Sequence, residues 1–60
     1  MNIKIFSRNK ALQLYSNYKS LCGEEKATEE AIKQAETIKA LAPIEDKIKW
    51  DEVIKELNKL

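Results

Sequence analysis

Histidine is absent from this 60-residue chain, and cysteine, glycine, proline, tryptophan and methionine occur once each. Each shortage excludes a class of function. Without histidine the commonest general base is missing. A zinc site built on histidine and cysteine is excluded as well, because Cys22 stands alone. The same solitary cysteine rules out an intrachain disulfide. One glycine, Gly23, does not make a glycine-rich phosphate loop. No run of about 18 apolar residues is present, so no membrane span is expected. Met1 to Phe6 is too short and too interrupted for a signal peptide. A lone cysteine also suits a reducing compartment. The expected location is the cytoplasm, that of the host if the chain is viral.

Length sets the next bound. Residues 1–60 form one domain at most. A chain this short buries only about 60% of the surface it exposes when unfolded. With disulfides and a cysteine or histidine metal site excluded, close helix packing or a partner chain must supply the stability.

The formal net charge of +1 is unevenly spread. Residues 1–20 carry Lys4, Arg8, Lys10 and Lys19 and no acid. Residues 21–46 carry seven acids against Lys26, Lys33 and Lys39. Residues 47–60 are nearly balanced, with four lysines against Asp51, Glu52 and Glu56. This pattern predicts a basic first helix beside an acidic second one. Lysine outnumbers arginine ten to one, and isoleucine and asparagine are frequent. Those residues have AT-rich codons, which suggests a low-GC bacterium or a phage as source.

Helical periodicity is the main positive signal. Thr28 to Ala42 is the longest clean pattern, with Ala31, Ala35, Ile38 and Ala42 on one narrow face. Ile32 and Leu41 sit on its shoulders. An alanine face has little bulk, so larger side chains from elsewhere must close onto it. Thr28 is the predicted N-cap, with Glu29 and Glu30 in the first turn. Pro43 ends the element.

An earlier stripe, Ala11, Leu14, Tyr15, Tyr18, Leu21 and Cys22, predicts a helix over about Arg8 to Cys22, capped by Ser7 and stopped by Gly23. Leu12 falls off the stripe. Ile3 and Ile5 alternate with polar residues, which predicts a short extended arm. Ile48 and Trp50 share that spacing, so the two segments are candidates for a minimal ribbon.

The last eighteen residues change phase. Trp50, Val53, Ile54, Leu57 and Leu60 cover one arc, while Ile44 and Ile48 fall opposite. The reading is a turn or short helical piece over 43–49, then a helix capped by Asp51. The predicted core is Leu14, Tyr15, Tyr18, Leu21, Ile32, Ile38, Leu41, Val53, Ile54 and Leu57, with Cys22 as a small buried residue and Phe6 and Trp50 at element edges.

Little in the chain supports catalysis. The carboxylate pairs Glu24/Glu25, Glu29/Glu30, Glu45/Asp46 and Asp51/Glu52 are sequence neighbours, which do not face one another on a helix. They read as capping and solubility features. No catalytic, cofactor-binding or metal-binding residue is assigned, and no cofactor is expected. Binding to another chain remains. Tryptophan is enriched at interface hot spots, so Trp50 is a candidate anchor. Glu25, Glu29 and Glu30 offer an acidic face, and Arg8 and Lys10 a basic one.

The expectation is an all-α protein, a small three-helix bundle with a short extended N-terminal arm. Its expected function is non-enzymatic protein–protein binding, in the form of a phage- or mobile-element-encoded inhibitor or modulator of a host enzyme. One alternative is a nucleic-acid-binding regulator using residues 1–20, where Tyr15 and Tyr18 accompany the basic side chains. The pI near 7.8 speaks against it. The other alternative is a homodimer joined through the alanine faces.

Overall fold

A computed structural model describes residues 3–60. Three helices account for nearly all of them: α1 (Ile3–Cys22), α2 (Glu24–Leu41) and α3 (Ile44–Asn58). Each packs against both others, and no strand occurs among the described residues. The connections are Gly23 alone and the pair Ala42-Pro43. Links this short make α1 and α2 antiparallel, and likewise α2 and α3. Helices α1 and α3 therefore run the same way. Two contacts agree: the Phe6 ring meets Trp50 edge-on at 6.1 Å, and Leu12 shares a groove with Leu60.

The expected bundle is present, but all three helices start earlier than their best capping residues. Ile3 to Phe6 form the first turn of α1. The extended arm is thus overturned for these residues, while Met1 and Asn2 lie outside the described ones. The ribbon with Ile48 and Trp50 is overturned too, because both partners are helical. The helical register aims Phe6 at Trp50 and leaves Ile3 half-buried. Ser7 does not cap. It is buried on the inner face, and its Oγ donates to the Lys4 carbonyl at 3.1 Å.

Helix α2 opens at Glu24, not at Thr28. Gly23 serves both helices. Its amide donates to the Lys19 carbonyl, and its own carbonyl accepts from Ala27, each at 3.1 Å. It does so at φ 88° and ψ 164°, a region that essentially only glycine occupies. Glu24 and Glu25 then fall in the first turn, where the helix dipole favours negative charge.

Helix α3 is continuous from Ile44, so neither the break over 43–49 nor the Asp51 cap is found. The Pro43 carbonyl accepts from Asp46 at 2.9 Å and from Lys47 at 3.0 Å. The phase change in the sequence is real. A straight helix accommodates it by leaving Ile44 and Ile48 exposed on its outer side.

The core is built on small side chains. Ser7 and Ala11 on α1, and Ala27, Ala31 and Ala35 on α2, lie four residues apart along their helices and are buried. Such ridges let backbones come close. Val53 and Leu57 on α3 are the largest apolar side chains fully buried among the described residues. Phe6, Leu14, Tyr15, Tyr18, Ile32, Trp50 and Ile54 pack around this cluster, half-buried. Leu21 and Leu41, expected in the core, are 78% and 84% exposed, and Cys22 is exposed as well. For Leu21 and Cys22 the cause is length. Helix α3 ends level with Leu12, so the last turns of α1 have only α2 beside them. Leu41 lies in the final turn of α2, about 100° around from the alanine ridge.

Two substitutions test this packing. Ala35→Leu adds bulk at a fully buried ridge position and should destabilise by about 1–3 kcal/mol. Urea titration reads the change, and unaltered stability would place Ala35 on the surface. Ser7→Ala should leave stability unchanged or slightly raised, since the hydroxyl only back-bonds within its own helix. If Ser7 were a cap, the same change would cost about 0.5–2 kcal/mol.

Candidate functional site

The six candidate binding residues do not converge. Trp50 is half-buried midway along α3, against Phe6 and the core margin. Glu25, Glu29 and Glu30 sit on the first turns of α2, at the Gly23 end of the bundle. The packing of Phe6 on Trp50 places Trp50 at the other end. Glu29 and Glu30 flank Lys33, at 3.8 and 3.6 Å. Arg8 and Lys10 lie about 160° apart around α1. The Arg8 Nε is 3.8 Å from Glu56 on α3, while the Lys10 Nζ donates to Gln13 on its own helix at 3.3 Å. Tyr15 and Tyr18 are half-buried against the core, and the Tyr18 hydroxyl donates to Gln34 at 3.4 Å.

Side-chain contacts also tie α2 to α3. Lys39 on α2 donates to Asp51 on α3 at 3.1 Å, and Lys55 lies 3.6 Å from the same carboxylate. Lys47 donates to the Lys39 and Ala40 carbonyls at 2.9 and 3.2 Å, in the last turn of α2, where the Lys39 carbonyl also accepts from the Ala42 amide at 3.3 Å. The hydrogen bond and charge of Lys39 hold the Asp51 carboxyl below its ordinary value of 3.8, with Lys55 adding to the effect. Lys59, bonded at 2.9 Å, and then Arg8 hold Glu56 below 4.5, although burial opposes them. Glu52 first, then Asp51, raise Lys55 above 10.5.

The surface holds what the sequence-level candidates omitted. Ile44 and Ile48 stand one turn apart on the outer side of α3. Ile5 and Leu12 stand two turns apart on the outer side of α1. A shallow groove of about 230 Å³ between α1 and the end of α3 is lined by Arg8, Ala11, Leu12, Glu56, Lys59 and Leu60. Part of this was visible beforehand: Leu12 falls off its stripe, and Ile44 and Ile48 fall on a second arc. Among the described residues, no helix is long and apolar enough to cross a membrane.

The shifts fix the sign of the pH dependence. Asp51 and Glu56 are depressed, so their contribution is present above the ordinary carboxylate range and is lost as pH falls through their folded-state values. Lys55 is raised, so its contribution is present below 10.5 and is lost as pH rises through its higher folded-state value. The melting temperature should therefore be level from about pH 5 to about pH 9 and fall in acid. Asp51→Asn should flatten part of the acid limb. A parent-like acid limb in that variant would mean that the Lys39–Asp51 contact does not form in solution. No protein-family model, curated protein sequence or solved structure matches the chain.

Proposed function

We propose that this chain is a non-enzymatic cytoplasmic protein that acts by binding another protein through aliphatic side chains displayed outside its own core. One observation carries the reading. Among the described residues, Ile5, Leu12, Leu41, Ile44, Ile48 and Leu60 are exposed, whereas only Val53 and Leu57 are large and fully buried. Isolated exposed aliphatics need no explanation. Here they come in sets: Ile44 with Ile48, Ile5 with Leu12, and Leu12 with Leu60 across a groove. An inhibitor or modulator of a host enzyme, encoded by a phage or mobile element, is one form of such a protein. The small size and the frequency of residues that have AT-rich codons support that narrower form.

The alternatives draw less support from the same geometry. The alanine ridge of α2 is buried inside the bundle, so it offers no face for a homodimer. The two tyrosines near the basic side chains are packed against the core instead of presenting open rings to bases.

Size fractionation of the tagged chain in extract of its native or host cell tests the proposal. The expected result is elution in a larger species that resists nuclease and that the purified chain alone does not form. Elution at its own size, or a larger species dispersed by nuclease, would contradict it. A larger species formed by the purified chain alone would favour a homo-oligomer.

A further inference from the structure

We draw no further inference here: the strongest candidate, the exposed apolar patch of Ile44 and Ile48 on the outer side of α3, is flanked by Glu45 and Glu52 as well as by Lys47 and Lys55, so its charge selects no partner and nothing in the structure shows what covers it.

Discussion

Close approach of three helix backbones across small side chains is the constraint on which this fold depends. Ser7 and Ala11 on α1 and Ala27, Ala31 and Ala35 on α2 are almost wholly buried. None has bulk to hold its neighbours apart. The connections require the same closeness. A single residue joins α1 to α2, and only a glycine holds the φ of 88° that this turn uses. Two residues join α2 to α3, and Lys47 closes the carbonyl end of α2 from across that turn. Bulkier ridges would push the helices apart and strain both links.

A core filled by alanine leaves room for few large side chains, and this ties packing to function. Val53 and Leu57 fill the centre, and the aromatics Phe6, Tyr15, Tyr18 and Trp50 seal its margin. The remaining aliphatics then lie outside, on faces that the bundle itself does not need. The ion pairs are peripheral and mostly lie within single turns, so they tune the surface more than they hold the fold. Arg8 and Lys39 are different, because they reach Glu56 and Asp51 on another helix.

The alanine face of α2, the stop at Gly23 and the second apolar arc of α3 were all legible in the residues. Helix starts were not. Ser7, Thr28 and Asp51 are good capping residues, yet the helices begin at Ile3, Glu24 and Ile44, one or two turns earlier. A cap contributes about 1 kcal/mol. An added helical turn that packs Phe6 on Trp50, or that shortens a connection to one or two residues, outweighs it. Leu21 and Cys22 show the complementary limit. Periodicity marks the side of a helix they occupy, but not whether a neighbouring helix extends far enough to cover them. The groove between α1 and the end of α3 was hidden for a related reason. It depends on Leu12 meeting Leu60, and only the parallel pairing of α1 with α3 brings them together.

The central claim is that the alanine ridge of α2 faces the other two helices directly. Nuclear Overhauser contacts from the Ala31 and Ala35 methyl groups test it most directly. The packing predicts contacts from these methyls to Val53 and Leu57 on α3 and to Ala11 on α1, since all five residues belong to one buried cluster. Methyl contacts confined to α2 itself would contradict it.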